Sequence, residues 1–307
     1  MAQGRRPDRA PAGEDEELSQ TLRGVLWMSG AVLSFCAMAI AARELLKHMG
    51  VFEILFFRTG VALVIVLAVV LPAGLAKLRT RHLRIHVWRN LFHLGGQASW
   101  VIALGALPLA TVFAIEFTSP IFTAVLAAFM LKERMNSGRL VMLVLGFAGV
   151  LVILRPGFAV VQPAALIMLF GSFCFAVQMI GTKRLSGVDS PLTVLFWMSV
   201  LQTPVCLAAA LPGWRAPSWA DLPWIVAIGC GSFTAHYCLT SSMRHADATV
   251  VVPVDFFRLP LIAVIGALFY AEPFDPVVIL GAAVIFAGVY YSISREHARR
   301  VAAPSAV

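Results

Sequence analysis

Apolar residues run along this chain in blocks of about twenty, parted by short polar or proline-containing joints. A bilayer core about 30 Å thick needs roughly that length of helix. The blocks predict ten spans, at 23–42, 51–71, 87–106, 109–130, 139–156, 163–182, 191–211, 222–242, 249–270 and 276–294. Asn90 to Leu131 holds one charge, Glu116, and is twice too long for a single crossing. Leu107-Pro108 divides it, because a residue preceding proline is disfavoured in a helix. So short a joint predicts an antiparallel pair. The fold class expected is an all-α membrane protein.

Polar positions inside the spans are sparse and patterned. In the third span Asn90, His93, Gln97 and Trp100 recur at helical spacing and share one face. The eighth carries Ser232, His236 and Thr240 four residues apart, with Tyr237 adjacent, and the sixth carries Gln178. Three spans, the second, fourth and ninth, also contain Arg58, Glu116, Asp255 and Arg258. An ionisable group in mid-membrane costs at least about 2.5–3.5 kcal/mol, so each needs a reason. Arg58 and Glu116 lie at similar depths and predict an Arg58–Glu116 pair. Asp255 approaches from the opposite side, with Arg258 at i+3 on the same face. These groups either lock helices as static pairs or line a translocation cavity. In the second case a guanidinium suits a carboxylate or phosphate and a carboxylate suits an amine. His93 and His236 are candidates for a proton relay. Trp100, Trp197 and Tyr237 are candidates to stack on a flat solute. Pro120, Pro253 and Pro260 predict kinks in the fourth and ninth spans.

Composition removes the soluble alternatives. Of 307 residues, 60% are apolar and 13% charged, and the mean hydropathy is +0.85. The net charge of +8 reflects loop lysines and arginines rather than a nucleic-acid partner. Eighteen of them fall in the tails and joints on the side of the two termini, among them Arg5, Arg6, Arg9, Lys77, Arg89, Lys132, Arg134 and Arg244. Only Arg43, Lys47, Arg155 and Arg215 fall on the other side. Both termini are therefore expected in the cytoplasm. The N-terminal tail, with Glu14-Asp15-Glu16-Glu17, is expected to be disordered. The first span, longer than a signal-peptide core, is expected to be retained. The five cysteines sit in apolar segments without metal-ligand spacing, and no metal or cofactor is expected.

The chain also matches itself at an offset of 139 residues. Glu116-Phe117 falls on Asp255-Phe256, Glu133 on Glu272, and Ala148-Gly149-Val150 on Ala287-Gly288-Val289. Ser34-Phe35-Cys36 matches Ser172-Phe173-Cys174 at 138. Each half holds five spans, an odd number, so the second half enters the membrane from the opposite side. This predicts two inverted repeats, 22–157 and 162–295, between tails 1–21 and 296–307. Ala103-Leu104-Gly105-Ala106-Leu107, Ser119-Pro120-Ile121-Phe122, Leu131-Lys132-Glu133-Arg134 and Gly146 with Gly149-Val150 resemble an EamA repeat of the drug/metabolite transporter superfamily. Leu268-Phe269-Tyr270-Ala271-Glu272 and Gly281-Ala282-Ala283 through Gly288-Val289 echo it. The resemblance implies a ten-helix carrier of small metabolites.

With no G-x-x-x-x-G-K-[ST] phosphate loop, direct ATP drive is not expected. The expected function is secondary transport, by alternating access, of a small polar solute, zwitterionic or anionic, such as an amino acid. The alternative is a flat vitamin- or nucleoside-like solute of the riboflavin or S-adenosylmethionine type. Candidate substrate contacts are Arg58, His93, Gln97, Trp100, Glu116, Gln178, His236, Tyr237, Asp255 and Arg258. The implied partners are the solute and the lipid of a bacterial inner membrane, with proton coupling as a hypothesis. Any oligomeric state is compatible with this pattern. A membrane-embedded enzyme would need a nucleophile–base set at one depth, which is missing. A channel conflicts with mid-span charges of both signs.

Overall fold

A computed structural model describes residues 14–74, 78–130, 137–155, 162–185, 188–246 and 248–302. Arg5, Arg6, Arg9, Lys77 and the Leu131-Lys132-Glu133-Arg134 motif lie outside the described residues. The first half comprises α1 (Glu14–Leu45), α2 (Val51–Val70), α3 (Leu83–Ala106), α4 (Leu109–Glu116), α5 (Ser119–Met130) and α6 (Ser137–Leu154). The second comprises α7 (Pro163–Leu185), α8 (Pro191–Ala210), α9 (Leu222–His245), α10 (Ala248–Phe256), α11 (Arg258–Tyr270) and α12 (Pro276–Ala302). Among the described residues nine spans are long and apolar enough to cross a membrane. The tenth span is α3, with 24 residues, whose polar stripe and flanking arginines lower its apolarity.

Three local features depart from the sequence reading. The acidic run from Glu14 lies within α1 instead of in a disordered tail. The fourth span breaks into α4 and α5 at Phe117-Thr118, and the ninth into α10 and α11 at Phe257. Pro120 and Pro260 cannot donate to the carbonyls of Glu116 and Phe256 four residues back, so the helical ladder fails there. The two breaks are equivalent under the repeat.

The packing obeys the same relation. α1 lies along α9 and α3 along α7, and exchanging the halves turns the first pair into the second. α2 lies along α8, α6 along α12 and the α4 span against the α11 span; each of these pairs exchanges into itself. The Leu71–Ala73 turn that ends α2 recurs as Leu211–Gly213 after α8, both single 3₁₀ turns on a Leu-Pro pair. All these main pairings join one half to the other, so the core is built between the repeats. Glycines allow the closest approaches, as small residues do between membrane helices. A Cβ on Gly96 would meet the Gly171 carbonyl at 3.2 Å, and one on Gly171 the Gly96 carbonyl at 3.3 Å.

Candidate functional site

The two helix breaks meet at the centre. Phe117 and Phe256, equivalent across the repeat, stack face to face at 4.1 Å with 13° between their planes, so the pseudo-two-fold axis passes between them. Beside them Arg258 Nη1 lies 3.3 Å from Glu116 Oε1, and its Nη2 lies 3.6 Å from Asp255 Oδ2. The equivalent acids thus share one guanidinium. It has no counterpart in the first half, where Ser119 occupies the matching position. Trp100 Nε1 donates to Glu116 Oε2 at 2.9 Å. The Arg258 guanidinium is walled by the rings of Phe35, Phe113 and Phe117 at 4.6, 5.0 and 4.9 Å, a cation–π enclosure that offsets part of its desolvation. The site carries two carboxylates against one cation, and Asp255 Oδ1 is buried without a hydrogen-bond partner.

The expected Arg58–Glu116 pair does not form. Glu116 takes Arg258 instead, because α4 packs on α11 and α7 while α2 packs on α8 and α9. Arg58 is 1% exposed and lies within electrostatic reach of His93 in the polar stripe of α3. That stripe is turned inward throughout: Asn90, His93, Gln97 and Trp100 are all buried. Gln202 on α8 ties it together, its Nε2 lying 3.1 Å from Asn90 Oδ1 and 2.9 Å from His93 Nδ1. Arg89 donates to Asn90 Oδ1 at 3.1 Å and to Thr182 Oγ1 at 2.8 Å. Gln178 donates to that same hydroxyl at 2.9 Å. On α9 His236 stands 5.8 Å from the His93 ring, and Ser232 is buried. Tyr237 is not brought into the cluster. It follows His236 by one residue, about 100° round the helix, and is 40% exposed against Phe233 and Trp27. Nor does Trp197 line the centre, since its Nε1 donates to the Leu78 carbonyl at 3.0 Å.

Gln202 and Arg89 are participants that sequence reading passed over. A single glutamine in an apolar span makes no periodic stripe. Arg89 counted with the joint charges because it falls only two residues inside the expected span 87–106; α3 starts at Leu83, which places Arg89 well within the helix.

One end of the bundle, at the 43–50, 107–108 and 271–275 turns, is closed by a clamp. Arg43 bonds the carbonyls of Leu104 and Leu107 and the Glu272 carboxylate. Glu272 Oε2 also accepts the Leu109 amide at 2.7 Å, capping α4, and Tyr270 donates to Glu44 at 2.9 Å. Ala271, in the left-handed conformation at φ 51°, turns Glu272 back over Gly266, where a Cβ would meet the Glu272 carboxylate at 2.5 Å. Nearby Arg155 pairs with Asp275. Partial burial pushes the Asp275 carboxyl up, but the Arg155 hydrogen bond and the Val277 amide together hold it below its usual range. At the other end His86 Nε2 and Thr80 reach Asp189 at 2.8 and 2.7 Å. Arg43→Ala is expected to cost about 1.5–3 kcal/mol by stranding Glu272, read as a lower melting temperature in detergent, whereas Lys47→Ala, exposed and paired only with Glu44, should change it little.

The sequence profile described as the EamA-like transporter family matches residues 22–155 and 162–294. A riboflavin transporter of Rhizobium johnstonii is 30% identical over 94% of this chain and 96% of its own. An S-adenosylmethionine uptake transporter of Rickettsia prowazekii is 27% identical over 92% and 96%. A protein of known crystal structure superposes with a TM-score of 0.65 at 19% identity, over 91% of this chain and 98% of that one.

Proposed function

The chain belongs to the EamA-like transporter family and is an integral membrane transporter of a small molecule; from that premise we propose that its solute is a polar metabolite carrying a flat heteroaromatic ring, moved by alternating access. Riboflavin and S-adenosylmethionine, the solutes named for the relatives, share such a ring. That favours the flat-solute reading over a simple amino acid. The observation that carries the proposal is the meeting of both broken spans at an ion cluster on the repeat axis, walled by phenylalanine rings. Discontinuous helices at a repeat interface are where carriers of inverted design bind their solutes, and aromatic walls suit a planar ring.

In this reading the repeats are 22–157 and 162–295, both termini are cytoplasmic, and the membrane is a bacterial inner membrane. The Arg43–Glu272 clamp then closes the outer mouth. Transport is secondary, and an uncompensated carboxylate at the axis is available to a proton. Glu116, Asp255, Arg258 and Trp100 hold the solute at the axis, while His93, Gln97, Gln178, His236 and Arg58 line its approach.

Counterflow in proteoliposomes tests this. Purified protein loaded with unlabelled riboflavin or S-adenosylmethionine should accumulate the matching labelled solute. Glu116→Gln should slow exchange about tenfold or more, since a charged hydrogen bond is worth about 1.5–3 kcal/mol. Exchange of neither solute would overturn the flat-ring assignment, and exchange unchanged in Glu116→Gln would overturn the axial site.

A further inference from the structure

A second charged centre lies off the axis, and no carboxylate among the described residues balances it. None of the three guanidinium nitrogens of buried Arg58 meets a hydrogen-bond acceptor. Of the helices round it, α3, α8 and α9 contain no Asp or Glu at all. The acid of α2, Glu53, sits at the helix start and takes the Gly50 amide at 3.4 Å. Among the described residues Arg89, also buried, has the neutral oxygens of Thr182 and Asn90 as its partners. Both guanidiniums act electrostatically on His93 and His236, whose Nε2 atoms are likewise buried without partners. Among the described residues this cluster therefore holds two cations and no anion.

Phe35 stands between this cluster and the axis. One contact of its ring is the Arg258 guanidinium at 4.6 Å, and another is the His236 ring at 6.0 Å, edge-on. On one side stand two carboxylates with one cation; on the other stand two cations with no carboxylate. Burying an ion without its counter-ion costs several kcal/mol, and such groups in membranes mark solute pathways. An imbalance of opposite sign on either side of one ring selects a dipolar ligand.

We propose that Arg58 and Arg89 form an oxyanion-binding pole, which takes the carboxylate or phosphate end of the solute. The ring of that solute lies along Phe35 and His236, and its hydrogen-bond-donating end faces Asp255. The pole is a property of the chain; its use by a transported solute rests on the function proposed above.

Native cysteines report on both poles. Cys206 lies within electrostatic reach of Arg58, and Cys36 within reach of Arg258, Asp255 and Glu116. Full-length protein in liposomes, keeping one of these as its sole cysteine, is treated with sulfonatoethyl or trimethylammonioethyl methanethiosulfonate. Labelling is read by mass spectrometry, with rates taken relative to free cysteine. Cys206 should favour the anionic reagent about tenfold, as a focused field raises local counter-ion concentration, and Cys36 should favour the cationic one. Arg58→Gln should abolish the Cys206 preference without lowering the melting temperature, and Arg58→Lys should keep it. Equal rates for both reagents, an unlabelled Cys206, or a preference that survives Arg58→Gln would each overturn the pole. A selective Cys206 with counterflow unchanged in Arg58→Gln would overturn its use by the solute. If wild-type protein exchanges neither test solute but Cys206 stays selective, the transport reading fails and the pole stands.

Discussion

Arg258→Ala should lower the stability of the purified protein by about 3–5 kcal/mol, the cost of removing one partner from a buried ion pair. The loss has two sources. Glu116 and Asp255 would face each other across the repeat axis with no cation between them. Phe35, Phe113 and Phe117 would enclose the space left by the side chain. Melting in detergent reads the sum, and a second variant separates the parts. Adding Glu116→Gln and Asp255→Asn removes the repulsion and should restore about half of the loss, leaving the packing deficit. If Arg258→Ala melts at the wild-type temperature, the two acids are not held as a charged pair. Transport should fail in both variants: Arg258→Ala leaves two carboxylates at the axis with no cation, and the further exchanges leave the axis with no charge of either sign.

The second large effect is expected where α6 crosses α12. A Cβ on Gly149 would stand 2.6 Å from the Gly281 carbonyl oxygen, and one on Gly281 would stand 2.8 Å from the Gly149 carbonyl oxygen. Neither obstacle is a side chain able to rotate away, so valine at either position must push the helices apart. Overpacking of this kind costs about 1–3 kcal/mol or more. The double variant should cost less than the sum, since one displacement relieves both clashes. Gly50 supplies the contrast: a Cβ there meets nothing within 4 Å, and Gly50→Ala should leave the melting temperature within about a degree or two, as surface changes do. Equal behaviour of Gly149→Val and Gly50→Ala would show that the close crossing does not contribute to stability.

Much of the architecture was legible because the membrane simplifies the code. Ten apolar blocks, a proline joint at 107–108 and an offset of 139 residues carry length, topology and inversion without any knowledge of contacts. The inward turn of Asn90, His93, Gln97 and Trp100 followed from their spacing, since a helix has only one face for such a set. Pairing was not legible in the same way. Depth along the membrane normal is readable from position within a span, and it put Arg58 level with Glu116. Which helices adjoin is set by the interleaving of the halves, and that set Glu116 against Arg258. The helix breaks lay between. Pro120 and Pro260 marked where a ladder must weaken, but a kink and a two-residue interruption look alike until the neighbouring helices are present. Tyr237 stands outside the cluster for a simpler reason. Adjacency in sequence to His236 suggested a shared site, whereas adjacent residues on a helix look in different directions.

The interleaving of the halves has a consequence for how the protein is made. α1 finds its main neighbour in α9, α3 in α7 and α6 in α12, so a nascent chain halted after its first five crossings would have almost nothing of its own to settle against. Those helices must wait in lipid, glycine seams bare, until the ribosome has delivered their partners from the second half of the chain. Membrane insertion and tertiary assembly are thereby separated in time, and a chain truncated in its last helices should meet quality-control proteolysis as a whole molecule, not as a stable half.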